Sequence, residues 1–218
     1  MQIANKELEI FAAKSENAPL VIVNCFEDEG ETIYRQVQSQ TDKDFSFAAI
    51  HGIDCYTELT PWKCSALRKK EPDFGDGAKA YLSELTEKIL PEIQRRIPAS
   101  SFSILAGYSL CGLFAVYAAF TSNAFKRIVC ASGSLWYPGF LEFCKAYEPS
   151  EKIDRISFSL GDKEALSQNP VYATVKTNTL EIQSIFQESG VTATFTEFPG
   201  NHFFEADKRL AKGITSVL

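Results

Sequence analysis

Histidine is scarce in this chain: 218 residues hold only His51 and His202. Two imidazoles and no Cys-x-x-Cys pair argue against a zinc site of the usual Cys/His kind, and no metal or cofactor is expected. Cations are the minority, 22 Lys and Arg against 28 Asp and Glu, for a net charge of −6. Such a chain lacks the basic footprint that nucleic-acid phosphates require. It is equally poor at gathering a small anionic substrate. The densest basic run, Arg68-Lys69-Lys70, reads as a solvated loop. No apolar run approaches the roughly 18 residues of a membrane span, and LCGLFAVYAAF at 110–120 fits a buried helix. The opening MQIANKELEIF carries charges and has no apolar core of signal-peptide length. No membrane partner is expected, and the location read from these absences is cytoplasmic.

Six cysteines are present, at 25, 55, 64, 111, 130 and 144. Cys25, Cys111 and Cys130 lie inside apolar runs, where a free thiol behaves as a small hydrophobe. The expectation is reduced thiols, in keeping with that location. Hydrophobic residues make up 45% of the chain, enough to build a sizeable core within one domain spanning 1–218.

Strand-like runs recur at 7–13, 19–25, 45–50, 102–106, 127–131, 156–160 and 192–198. Helix-like runs fall at 30–40, 76–97, 110–121, 138–146, 171–189 and 203–217. Several strands are apolar throughout, as in a parallel sheet covered on both faces. The alternation predicts an α/β class, doubly wound around a mostly parallel sheet. The stretch 51–77 is long for a loop, and with Tyr56, Trp62 and Phe74 in it an ordered pocket wall is expected.

Within SILAGYSLCGLFAVYAAF, residues 103–120, Ser109 stands between a strand-like and a helix-like run. A serine on such a turn is exposed as a nucleophile, provided a base and an orienting acid are supplied. The order serine, acid, histidine assigns the base to His202, after the last strand. His51 precedes the serine and is read as non-catalytic, although it can lie at the same edge of the sheet. The acid falls in SLGDKEALSQ, where Glu164, three residues past Gly161, is favoured over Asp162 for its reach. Oxyanion donors are expected from the Leu110 N–H at a helix start and from the loop after 19–25, with Phe26 first and Cys25 second. In the pentapeptide G-x-S-x-G, Cys111 stands at the final glycine, a position that demands a small residue. Tyr56, Glu58 and Trp62 are the substrate-contact candidates from the long stretch, with Glu58 placed to repel anions or pair with a hydroxyl or amine. For Trp62 the alternative is a loop anchor that meets no ligand.

GYSLCG around Ser109, ASGSLWY at 131–137, SLGDKE at 159–164 and GNHFFEADKRLAKGI at 200–214 together resemble the putative-esterase family of α/β-hydrolases. That family includes enterochelin esterases, feruloyl esterases, S-formylglutathione hydrolases and mycobacterial mycolyltransferases. The resemblance runs from about residue 7 to the C-terminus. YTELTPW at 56–62 and LPEIQRR at 90–96 bring it nearest to the siderophore trilactone esterases. It implies a minimal α/β-hydrolase fold without a large lid, with Ser109 as nucleophile, Glu164 or Asp162 as acid and His202 as base. Trp136, inside ASGSLWY, joins the substrate-contact candidates. Cys55 stands where siderophore esterases of this kind tend to carry an arginine. The leading reading is hydrolysis of a small-molecule carboxylic ester through an acyl-enzyme. An acyltransferase using the same site, or a non-catalytic binding protein on this scaffold, are the alternatives.

Overall fold

A computed structural model describes residues 1–218. Eight strands form one sheet: β1 Gln2–Ile3, β2 Lys6–Phe11, β3 Leu20–Asn24, β4 Ser46–His51, β5 Ser103–Tyr108, β6 Arg127–Ala131, β7 Arg155–Gly161 and β8 Thr192–Phe198. Their order across the sheet is β1-β2-β4-β3-β5-β6-β7-β8. β1 and β2 pair antiparallel, as do β2 and β4; every pairing from β4 through β3 to β8 is parallel. The apolar runs are explained by burial on both faces. In β3, Leu20 and Ile22 enter one core while Val21 and Val23 enter the other, and β4 and β6 alternate in the same way.

The helices are α1 Gly30–Gln38, α2 Cys55–Glu58, α3 Ala78–Glu84, α4 Leu90–Gln94, α5 Leu110–Thr121, α6 Phe140–Ala146, α7 Pro170–Ala173, α8 Val175–Glu188 and α9 Ala206–Val217. Ile33 and Val37 of α1 and Leu210 and Ile214 of α9 cover the smaller core on one face. Residues of α3 to α6 and α8 cover the larger core on the other. α5 is buried on nearly every side, from Leu110 to Ala119, which is why its sequence is apolar all round rather than striped.

Two expected helices differ in detail. The run 76–97 is divided by a π-turn, Leu85–Ile89, between α3 and α4. Pro91 has no N–H and its ring crowds the carbonyl four residues back, so the ladder widens just before it. Leu90 N–H accordingly reaches back to Leu85 O. The run 171–189 is split into α7 and α8, α7 being started by the Asn169 side chain accepting from the Val171 N–H at 2.9 Å.

The stretch 51–77 is ordered rather than open. It holds α2, capped by the Asp54 carboxylate, and a bridge between Cys64 and Phe74. The buried Thr60 hydroxyl ties it together, donating to Tyr56 O at 2.7 Å and Gly75 O at 3.1 Å. The six cysteines are all free, and all but Cys64 are buried. No helix is long and apolar enough to cross a membrane. Because β3 to β8 are parallel, the loops after them gather at one edge of the sheet, where ligand sites of open α/β sheets lie. Phe26, His51, Ser109, Ser132, Glu164 and His202 all follow or end a strand on that edge.

Candidate active site

Ser109 occupies the one-residue turn between β5 and α5 with φ 55° and ψ −120°, a conformation that L side chains rarely adopt. The strain is held from several sides. Ser109 N–H donates to Ala131 O at 3.2 Å, and Ser109 O accepts from Ser134 N–H and Leu113 N–H, each at 3.0 Å. The glycines have a steric reason. A Cβ on Gly107 would lie 2.3 Å from the carbonyl carbon of Cys111, and one on Gly112 would lie 2.9 Å from Gly133 Cα. The start of α5 therefore rides close over β5 and the turn after β6. Cys111 fits there as a buried small side chain, 1% exposed, as its position in the motif demands.

His202 sits in the turn between β8 and α9. Its Nε2 is 3.0 Å from Ser109 Oγ, and its Nδ1 is 2.8 Å from Glu164 Oε2. An ionised carboxylate only accepts, so Nδ1 carries the proton and Nε2 presents its lone pair to the serine hydroxyl. The phenol of Tyr108 donates to His202 O at 2.5 Å, which pins the turn that carries the ring. Burial pushes that phenol up to about 12, so it stays a donor.

Glu164 begins the short 3-10 turn Glu164–Leu166 after β7. Its other oxygen, Oε1, accepts from Gly161 N–H at 2.6 Å, from the Ser132 hydroxyl at 2.7 Å and from Arg209 Nη1 at 2.7 Å. Burial pushes the carboxyl up, but hydrogen bonds from His202, Gly161 and Ser132 outweigh it and hold the pKa below the ordinary value. Asp162, the other acid candidate, is exposed and accepts from Gly200 N–H at 2.8 Å, clamping the loop after β8 to the end of β7. Of the two carboxylates, the structure brings Glu164 to His202.

Three contributors escape a reading of the sequence. Arg209 is 1% exposed, and its guanidinium binds Glu164, the Ser132 hydroxyl, Tyr108 Oη at 3.1 Å, Phe204 O at 3.0 Å and Asn201 O at 3.3 Å. Tyr108 and Ser132 are the other two. A signal for Arg209 does exist: it shares the buried stripe of α9 with Leu210, Gly213, Ile214 and Val217, where a charge must have a partner.

The proposed oxyanion donors meet different fates. Leu110 is the first residue of α5, whose N–H has no intrahelical acceptor. Cys25, the second choice in the β3 loop, is ruled out because its N–H is spent on Ile50 O at 2.9 Å. Phe26 N–H donates at 2.8 Å to the side chain of Glu29. His51 lies at this edge of the sheet but serves the same loop, its Nδ1 donating to Glu27 O at 2.8 Å.

Tyr56 stacks on Phe74 at 5.4 Å, and Trp136 meets Tyr172 edge-on at 4.5 Å and Phe74 at 6.1 Å. Tyr56, Trp136 and Tyr172 are half-exposed, and the buried Phe74 backs Tyr56 and Trp136. Glu58, expected to face substrate, is instead held by the buried Lys6 at 2.8 and 2.6 Å and by Asp54 N–H at 2.8 Å. Trp62 behaves as an anchor: its indole N–H donates to Pro138 O at 2.9 Å, and Tyr137 donates to Trp62 O at 2.5 Å. Trp62→Phe is expected to lower stability by about 1–3 kcal/mol through the lost hydrogen bond. Denaturant titration checks this, and an unchanged midpoint with altered substrate preference would contradict the anchor.

A model of the family described as "Putative esterase" matches residues 20–209. The protein YbbA of Bacillus subtilis, described as uncharacterized, is 26% identical over 175 residues, covering 78% of this chain and 69% of that one. An IroE-like serine hydrolase from Shewanella oneidensis superposes with a TM-score of 0.77 at 18% identity, over 97% of this chain and 75% of its own. The siderophore hydrolase EstB from Aspergillus nidulans gives a TM-score of 0.73 at 17% identity, over 100% and 96% of the two chains. The shared fold is that of the α/β-hydrolases.

Proposed function

Since the chain belongs to the putative-esterase family, hydrolases acting on esters, we propose that it cleaves a carboxylic ester through an acyl-enzyme at Ser109. The observation that carries this reading is the unbroken hydrogen-bonded line Ser109–His202–Glu164, at 3.0 and 2.8 Å, on the strained turn. His202 Nε2 takes the hydroxyl proton as Ser109 Oγ attacks the ester carbonyl, and the electron pair moves onto the carbonyl oxygen. The Leu110 and Phe26 N–H groups receive that oxyanion. On collapse, His202 passes its proton to the departing alkoxide and the acyl group stays on Ser109. Water then repeats the sequence and frees the acid. Glu164 holds the tautomer and stabilises the imidazolium that forms twice per cycle.

The substrate proposed is a neutral ester. Tyr56, Trp136 and Tyr172, backed by the buried Phe74, offer an aromatic wall, and Phe203 and Leu166 are 78% and 75% exposed beside His202 and Glu164. Cys55, where the siderophore esterases that this chain resembles tend to carry an arginine, is buried in the core, so that position supplies no cation to an anionic siderophore.

A fluorophosphonate reporter tests the reading directly. It is expected to bind in one-to-one ratio, on the peptide containing Ser109, with parallel loss of aryl-ester hydrolysis. Labelling elsewhere, or hydrolysis that survives full labelling, would overturn it.

A further inference from the structure

The turn after β3 already holds an anion. Phe26 N–H donates to Glu29 Oε1 at 2.8 Å, and Glu27 N–H donates to Glu29 Oε2 at 2.7 Å. Two successive amides converging on one carboxylate form an anion-receiving nest. One of them, Phe26, is the amide that the acyl-enzyme reading assigns to the substrate oxyanion. A single N–H cannot serve both at full strength, and a carboxylate beside a developing oxyanion opposes it by charge.

The backbone of this turn is held from both sides. Cys25 N–H is in the sheet, bonded to Ile50 O, and Glu27 O accepts from the buried His51 at 2.8 Å. A Cβ on Gly30 would lie 2.5 Å from Ala49 Cβ, so the start of α1 sits hard against β4. Glu29 itself is only half-buried, so its carboxylate is not enclosed by the protein. Its charge also reaches the foot of the serine turn: burial pushes the thiols of Cys25 and Cys111 up, and the Glu29 carboxylate adds to the effect on both.

We propose that Glu29 is a positioning residue that competes with the substrate oxyanion for the Phe26 N–H, so that each turnover requires its carboxylate to swing out. The proposal rests on the acyl-enzyme reading. It makes removal of an acidic side chain activating, whereas a residue that only shapes the loop would be missed when lost. Glu29→Gln is the deciding variant. Glutamine has one acceptor oxygen where the carboxylate has two, and no charge, so it keeps the shape of the loop while it can hold only one of the two amides, and that one weakly. Glu29→Ala removes the competitor entirely.

The experiment measures kcat and KM for p-nitrophenyl acetate, together with the second-order rate of fluorophosphonate labelling, in the full chain and both variants. In Glu29→Gln, kcat and the labelling rate are expected to rise about tenfold with KM little changed, because the gain falls on the charge that develops during reaction. Glu29→Ala should rise with it, or fall only if its thermal midpoint falls too. Equal or lower rates in Glu29→Gln overturn the proposal while leaving the acyl-enzyme reading standing, provided the parent is labelled at Ser109. If neither parent nor variants are labelled, the reading fails and the competition with it.

Discussion

Glu164→Gln is expected to lower kcat by about 10³–10⁴-fold, against less than about tenfold for Asp162→Asn. The two carboxylates lie two residues apart after the same strand, so the contrast comes from geometry alone. Glu164 Oε2 accepts from His202 Nδ1 at 2.8 Å, while Asp162 accepts from Gly200 N–H at the same distance. An amide at 164 can turn either its oxygen or its NH₂ toward the ring. Its oxygen would meet Nδ1 only by turning the NH₂ toward Gly161 N–H, the Ser132 hydroxyl and Arg209, which are donors to Oε1. The NH₂ is therefore driven toward His202, which selects the tautomer with its proton on Nε2 and leaves nothing to take the serine proton. Asp162→Asn keeps an acceptor for Gly200 and disturbs only the fit between the ends of β7 and β8. Steady-state kinetics on an aryl ester, with folding checked by circular dichroism, reads the difference. Comparable losses in the two variants would remove Glu164 from the role proposed for it.

Much of this architecture is legible from residue pattern because the parallel strands are buried on both sides. That burial writes β3, β5 and β6 into the sequence as largely apolar runs, and each expected strand is present within two residues at its ends. Ser109 is legible for a related reason, since Gly107 and Gly112 record how closely α5 rides over its neighbours. The two-residue β1 and one-turn α2 were not legible, being too short to show a period. The π-turn was not either, although Pro91 marks it in hindsight.

At the site, chain order reaches the line from Ser109 to His202 but not what stands behind it. Glu58 looked free because its partner, Lys6, is 52 residues away. The Phe26 amide looked available because a side chain three residues on cannot be placed from sequence alone. Arg209 is the largest omission. Its ligands come from β5, the turns after β6, β7 and β8, and no local spacing joins them.

Arg209→Met should destabilise the protein by about 3–5 kcal/mol, because it leaves one member of a buried ion pair without its partner. Glu164 would keep Gly161 N–H, the Ser132 hydroxyl and His202, yet lose the only full positive charge bonded to it. The carbonyls of Asn201 and Phe204 would lose a donor as well, loosening the turn that carries His202. Arg209→Lys retains the charge, but one ammonium cannot reach both sides of the fork, so an intermediate loss is expected. The sign of the pH effect follows from Glu164. Its folded pKa lies below the ordinary 4.5, so its contribution is present above that value and is lost as pH falls through the lower folded one. Without the guanidinium the carboxylate holds its proton more tightly, and both acid unfolding and the acid limb of kcat should move to higher pH. A merely packing role for Arg209 would lower the thermal midpoint and leave that limb where it was. The pair Arg209→Met/Glu164→Gln supplies the remaining control: with the orphaned charge gone, it should be more stable than Arg209→Met alone, though still catalytically poor. If the double variant is the less stable of the two and the acid limb stays in place, Arg209 does not act through the charge of Glu164.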